Sequence, residues 1–219
     1  MKNNKVSFSK RKQRSIKLIA VLFLSLTAIS CNDKESKIKS EGTTSYALQL
    51  MMSRIEKDKN MKQAADSPFQ GTAQKEFEHL NYFEPNTNYI VTAKLEKLPL
   101  GDTLTTRTSL GKERQFLKFA MAHFELQKQQ HSLLLLKSVK KDSKRLFLTF
   151  KDATSGEESY GAGRYLDVYA SEDNTALLDF NMLYNPYCAY ADGFDCPLPP
   201  KGNQLKIKIL AGEKTYQEH

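Results

Sequence analysis

The sequence is poor in the residues that most often carry chemistry. Its 219 residues include four histidines and three cysteines. His79, His123, His131 and His219 are scattered without ligand spacing, and no second cysteine pair exists to complete a zinc site. No Gly-x-Ser-x-Gly elbow occurs, so a serine hydrolase of that type lacks its turn. Gly161-Ala-Gly163 has neither the lysine nor the strand-to-helix setting of a phosphate loop, and reads as a turn that needs positive φ. Asp152-Ala-Thr-Ser-Gly-Glu-Glu158 lacks the alternating Asp of a calcium loop. No cofactor is implied, and no repeat period is visible.

The net charge of +8 suggests nucleic acid until it is mapped. Seven of the 33 Lys and Arg lie in residues 1–30, which contain no acidic side chain. The remainder sets 26 cations against 25 anions. A nucleic-acid reader carries its basic stripe on the folded part, so that partner is excluded.

The basic start ends at Lys17 and is followed by the apolar run Leu18–Ile29, then Ser30 and Cys31. The run is shorter than the roughly 18–20 residues of a membrane-spanning helix and fits the apolar region of a secretory signal. Ser30-Cys31 resembles a bacterial lipobox, in which the cysteine is acylated and becomes the mature N-terminus. The departure is Ala28, where that pattern usually has Leu. An ordinary signal peptide cut nearby, or an uncleaved anchor, is the alternative. The expectation is a lipoprotein signal peptide at 1–30, a lipid-bearing Cys31 and a polar, flexible tether at 31–44. The setting expected is the bacterial cell envelope, with the protein facing the periplasm or the cell surface.

Export leaves Cys188 and Cys196 as a pair expected to oxidise. Their disulfide would close a short loop, a constraint of roughly 2–3 kcal/mol in the chain-entropy model.

Residues 45–219 read as a single domain. Ser45 looks like an N-cap, and Leu48, Met51, Met52 and Ile55 follow at helical spacing, as a stripe that would pack on a core. The helix should stop before Ser67-Pro68. Beyond Pro85 the period becomes two. Strands are predicted at Val91–Glu96, Leu104–Leu110, Gln115–Ala120, His123–Gln127, Ser132–Ser138, Arg145–Lys151, Tyr165–Ala170, Leu177–Asn181 and Gln204–Ile209, the last with the cleanest alternation. Turn residues separate them at Pro99–Asp102, Gly111-Lys112, Lys141–Ser143 and Glu172–Asn174. The fold class is mainly β (α+β): an antiparallel sandwich or barrel-like sheet with one N-terminal helix, after a signal peptide and short tether.

Several uncommon motifs follow one another in the C-terminal half. They are Asp152-Ala-Thr-Ser-Gly156, Tyr160-Gly-Ala-Gly-Arg-Tyr-Leu166, Leu178-Asp-Phe-Asn181, Tyr184-Asn-Pro-Tyr-Cys-Ala-Tyr190, Cys196-Pro-Leu-Pro-Pro200, Asn203 and Ala211-Gly-Glu-Lys214. With Ser67-Pro68 and Leu80-Asn-Tyr-Phe83 upstream, roughly residues 45–216 resemble the bacterial family catalogued as domain of unknown function 1684. Ser159 and Leu183 depart mildly, standing where Thr and Ala are usual. The resemblance implies the domain's extent and exported setting, and no catalytic residue.

The side chains themselves suggest a site. Arg164 stands between Tyr160 and Tyr165, with Asp152, Asp179 and Glu213 as potential partners. A buried arginine must be paired, so an Arg–carboxylate network fixing the loops is one reading. In the other, Arg164, Tyr160, Asp152, Asp179, Asn181, Tyr184, Asn185, Tyr190 and Glu213 bind an envelope glycan, peptide or protein. A hydrolase acting on a glycan or ester through Asp152, Asp179 or Glu213 is a further possibility, and a purely structural envelope component another.

Overall fold

The computed structural model describes residues 30–140 and 143–216, with side chains from Ser45 onward. The expected signal peptide and the thiol of Cys31 lie outside the described residues. The chain divides into two units, residues 1–49 and 50–219. The first contains the start of helix α1, and the second holds the rest of α1 and the sheet.

Helix α1 spans Ser30–Gln63, so it begins well before Ser45. Residues 30–63 contain no proline and a single glycine, Gly42, which leaves nothing to stop a helix from extending back. The apolar stripe expected to face the core does not. Leu48, Met51, Met52 and Ile55 are each more than half exposed, while Leu50 and Met61 are buried. Between those two lie Arg54 and Lys57, each placed over a tyrosine ring. The inner face thus runs Leu50, Arg54, Lys57, Met61 at the ordinary helical interval. Hydrophobic periodicity missed it because two of its members are cations that bury their stems and stack their heads.

A short helix, α2 (Gly71–Glu76), precedes the sheet. Met61, Phe69, Phe77 and Leu80 form a small core with Tyr190, in which the Phe69 and Phe77 rings stack at 4.8 Å. The strands are β1 (Ile90–Lys97), β2 (Thr103–Arg107), β3 (Glu113–Leu126), β4 (Gln129–Ser138), β5 (Arg145–Phe150), β6 (Arg164–Tyr169) and β7 (Thr175–Asp179). The order β6-β5-β4-β3-β1-β7 is antiparallel throughout, with β2 on the first half of β3. The sheet curls into a nearly closed barrel. Its interior is filled by Leu133, Leu135, Leu148, Phe150, Leu178 and Phe180, all inaccessible to solvent.

Two expected strands, Gln115–Ala120 and His123–Gln127, are one. β3 runs through, and the irregularity is a register shift against β4 between Lys118 and Ala120. The β3–β4 hairpin turns at Gln127 and Lys128, with φ of 53° and 61°. Such two-residue turns favour Asn-Gly, so this one carries no sequence signal. The expected strand at Gln204–Ile209 is not one of the sheet's strands; it bends at 206–207 and has a bridge from Gln204 to Lys151. Leu205, Ile209 and Ala211 are buried; Leu205 and Ile207 bond the backbone of Lys151 and Ala153, while the backbone of Ile209 and Ala211 is met by side chains.

The barrel's seam explains this. β6 and β7 meet only at their turn, where Ala170 bridges Ala176. Toward the other end the edge of β6 pairs instead with Tyr184, through the Tyr165 and Tyr184 amides and carbonyls at 2.8 and 3.0 Å. Arg164 starts β6 and is 1 % exposed. Its Nη1 donates to the carbonyls of Ala211 and Glu213, and its Nη2 to that of Ile209 and to Asp152 Oδ2 at 2.8 Å. Gly163 makes the approach possible. At φ of 98°, a Cβ there would lie 2.7 Å from the Phe150 carbonyl oxygen.

Two measurements follow. Lys128 is exposed and pays the left-handed penalty, so Lys128→Gly is expected to raise unfolding free energy by about 1 kcal/mol in a urea titration. Arg164→Met leaves Asp152 charged and three carbonyls without their donor. It is expected to cost about 3–5 kcal/mol in the same titration, with Asp152→Asn in the double mutant recovering part of the loss.

Candidate functional site

The described residues form a small cleft of about 130 Å³ between the second half of α1 and the barrel seam. One wall is Leu50, Ser53, Arg54 and Lys57; the other is Tyr82 and the turn from Asn181 to Tyr184, with Glu213 at its base. The wall opposite the helix is positioned by a run of tight turns. Asp179 caps the 3₁₀ turn Phe180–Met182 by accepting from the Asn181 amide. Gly212, at φ of 77°, lets the C-terminal segment pass so close that a Cβ would meet Leu183 Cβ at 2.5 Å.

Glu213 is 1 % exposed yet carries a full set of partners. Lys57 Nζ forms an ion pair with its Oε1. Oε2 accepts from the Asn185 amide at 2.9 Å and from the Tyr190 hydroxyl. Donors on three sides satisfy a carboxylate that burial alone would penalise. Lys57 Nζ also sits 5.1 Å from the centre of the Tyr184 ring, and the Arg54 guanidinium 4.4 Å from that of Tyr82. The Tyr82 hydroxyl is buried without a hydrogen-bond partner, and burial beside Glu213 and Asp58 pushes its pKa far up. It therefore stays a neutral donor. Asp58 accepts from the Leu80 amide at 3.0 Å, and burial raises its pKa.

The structure sorts the residues singled out from sequence into three groups. Asn181, Tyr184 and Glu213 line the cleft, and Asn185 and Tyr190 hold Glu213 in place. Arg164 and Asp152 lie sealed beneath, so Arg164 caps no open pocket and the network reading describes it. Asp152 Oδ1 accepts from the Thr154 amide and hydroxyl and from the Ile209 amide, while Oδ2 takes Arg164. Tyr160 stands elsewhere, its hydroxyl 3.4 Å from the Cys188 carbonyl and 3.7 Å from its sulfur. The three carboxylates of the hydrolase reading are thus engaged as cap, clamp and ion-pair partner.

The cleft's own cations, Arg54 and Lys57, and its Tyr82 were missed by the sequence reading. The available signal was their place at helical intervals between Leu50 and Met61. Cys188 and Cys196 are neighbours, with the Cys188 amide donating to Cys196 Sγ at 3.3 Å, but both are free thiols here and no disulfide joins them. Among the described residues no cluster of His, Cys, Asp and Glu could hold a metal ion.

Known proteins add the fold and the family. The chain is similar to an uncharacterised protein of Haloarcula marismortui, solved by solution NMR, at 34 % identity and a TM-score of 0.64. That match covers 82 % of this chain and 99 % of the other. A search of curated proteins gives no match. The family described as "Protein of unknown function (DUF1684)" matches residues 75–214, which include both the barrel and the base of the cleft. The chain therefore belongs to the DUF1684 family.

Proposed function

We propose that this is a lipid-anchored protein of the bacterial cell envelope whose barrel domain binds the acidic end-group of an envelope glycan or peptide. One observation carries the binding reading: two cations, Arg54 and Lys57, stacked on tyrosine rings at an open cleft whose base holds a saturated carboxylate. Glu213 engages Lys57, and Arg54, Ser53 and the Tyr82 ring line the same cleft that an entering carboxylate or phosphate would meet. The volume suits a terminal group and not a whole sugar or side chain with its neighbours. Leu50 on one wall and the rings of Tyr82 and Tyr184 on the other, beside two cations, favour a ligand that is part apolar and part charged.

The envelope setting rests on the leader and Cys31. The exposed stripe Met51, Met52 and Ile55, followed on the same helical face by exposed Lys59 and Lys62, supports it. Apolar side chains with cations beside them suit a helix held near an anionic lipid surface.

Labelled fatty acid fed to the producing bacterium is expected to mark the protein, and Cys31→Ala to abolish both the label and membrane fractionation. Unlabelled protein that fractionates identically in the variant overturns the anchor.

For the cleft, a thermal-shift and calorimetric screen of uronic acids, N-acetylated amino acids and phosphate esters is expected to find a stabilising ligand. Arg54→Met should weaken it about tenfold or more, the loss of one charge-assisted hydrogen bond. Full affinity in Arg54→Met, or no ligand at all in the wild type, rules out the cleft as the binding site and favours a purely structural component.

A further inference from the structure

We propose that Cys188 and Cys196 form a reactive thiol pair, with Cys188 the attacking sulfur and Cys196 the resolving one, and that the pair cycles between dithiol and disulfide. The two sulfurs are held differently. Cys188 sits on the 3₁₀ turn Tyr187–Ala189 and is partly exposed. Cys196 is buried and fixed from both sides of its backbone, since its amide donates to Ser109 Oγ at 3.0 Å and its carbonyl accepts from the Ser109 amide at 2.8 Å. The next residue, Pro197, bridges Thr108 beyond the end of β2. Accessibility therefore chooses Cys188 for first contact, and the fixed Cys196 waits behind it.

The surroundings of Cys188 favour its thiolate. The Tyr160 hydroxyl donates toward its sulfur at 3.7 Å. A hydrogen bond from Cys196 draws the Cys188 pKa down to about 6, the Tyr160 and Ser109 hydroxyls adding to that against an opposing effect of burial. The same hydrogen bond and burial drive Cys196 the other way. One thiol is thus ionised near neutrality while its neighbour keeps its proton, an arrangement that makes the order of reaction unambiguous.

The chemistry balances with a low-molecular-weight disulfide as oxidant. Cys188 thiolate attacks one sulfur of that disulfide; a Cys188–S bond forms, the small disulfide breaks, and one small thiolate leaves. Cys196 then gives up its proton to solvent, and its thiolate attacks the Cys188 sulfur. The Cys188–Cys196 bond forms and the second small thiol leaves. The protein has lost two electrons, and the oxidant has become two thiols. A dithiol reverses both steps.

The test uses the full chain, reduced and desalted, with peptide mapping to separate both sites from Cys31. Iodoacetamide alkylation is expected to modify Cys188 first, with a rate midpoint near pH 6, and Cys196 much more slowly. Tyr160→Phe is expected to move that midpoint upward without altering the order, which a merely structural tyrosine would not do. With oxidised glutathione, the wild type should end as the Cys188–Cys196 disulfide, reopened by dithiothreitol under native conditions. Cys196→Ser should stop at a mixed disulfide on Cys188, and Cys188→Ala should form none. The proposal is overturned if Cys196 alkylates first, if Cys188 titrates at the ordinary thiol value of about 8.5, if Cys188→Ala still forms the mixed disulfide, or if the native disulfide resists dithiothreitol.

Discussion

One buried guanidinium holds the seam of this barrel. Where β6 and β7 part, the segment from Ile209 to Glu213 runs beside the gap outside the named strands, its far end bridging Tyr82 and bonding Leu183. Arg164 supplies the donors for the carbonyls of the alternate residues Ile209, Ala211 and Glu213. Asp152 accepts the Ile209 amide, so the carboxylate and the guanidinium together engage both polar groups of one peptide residue. Burying an arginine is costly, and desolvation lowers its pKa while Asp152 opposes that. The burial is sustainable because four acceptors converge on two nitrogens. Backbone bonds of Gly212 to Phe83, Glu213 to Leu183 and Lys214 to Asn81 hold the same segment, so clamp and turns together set the base of the cleft.

Asparagine does the same work at smaller scale. The Asn181 amide accepts from the Asn86 backbone N–H and donates to its carbonyl, both at 2.9 Å, as a strand neighbour would. Asn203 reaches between β4 and β5, whose direct pairing is confined to Leu136 and Phe147. It accepts the Leu134 amide and donates to the carbonyls of Leu134 and Thr149. Asn185 donates to the Lys214 carbonyl while its own amide holds Glu213. A side-chain amide offers the same donor and acceptor as a peptide, so it can close a ladder that the chain path leaves open. Asn181, Asn185 and Asn203 therefore mark places where the barrel lacks backbone partners.

This decides what was legible in the sequence. Period-two alternation located the strands because the barrel has one wet and one dry face, and it also placed Leu205 and Ile209 inward, with Ile207 partly buried against the core. Alternation reports which side of an extended chain is buried and says nothing about what bonds its backbone, so the same signal overstated that segment as a strand. The turn at Gln127-Lys128 left no trace because neither residue is a usual left-handed one. Helix α1 was read inside out for a related reason. Hydrophobic spacing favoured Leu48, Met51, Met52 and Ile55, whereas the face toward the barrel holds Arg54 and Lys57, whose contact with Tyr82 and Tyr184 depends on rings 25 residues or more away in sequence. Pairing Arg164 with Asp152 was within reach, because a motif arginine beside strand-forming tyrosines must find an acid if buried. That it would be sealed and not open depended on the course of the C-terminal segment.

The two walls of the cleft have separate origins in the chain. Tyr82, Asn181, Tyr184 and Glu213 fall within residues 75–214, the stretch that defines the family, and the Arg164 clamp fixes their frame. Arg54 and Lys57 come from α1, upstream of that stretch. Lys57 is needed wherever Glu213 is buried, since an unpaired carboxylate at that depth would be several kcal/mol uphill. Arg54 lies over the Tyr82 ring on the helix wall of the cleft, with its Nε and Nη2 buried. Of the two cations, Lys57 balances the protein's own acid and Arg54 packs on an aromatic face. The helix wall of the cleft thus comes from outside the family stretch, while the opposite wall and the seam lie within it.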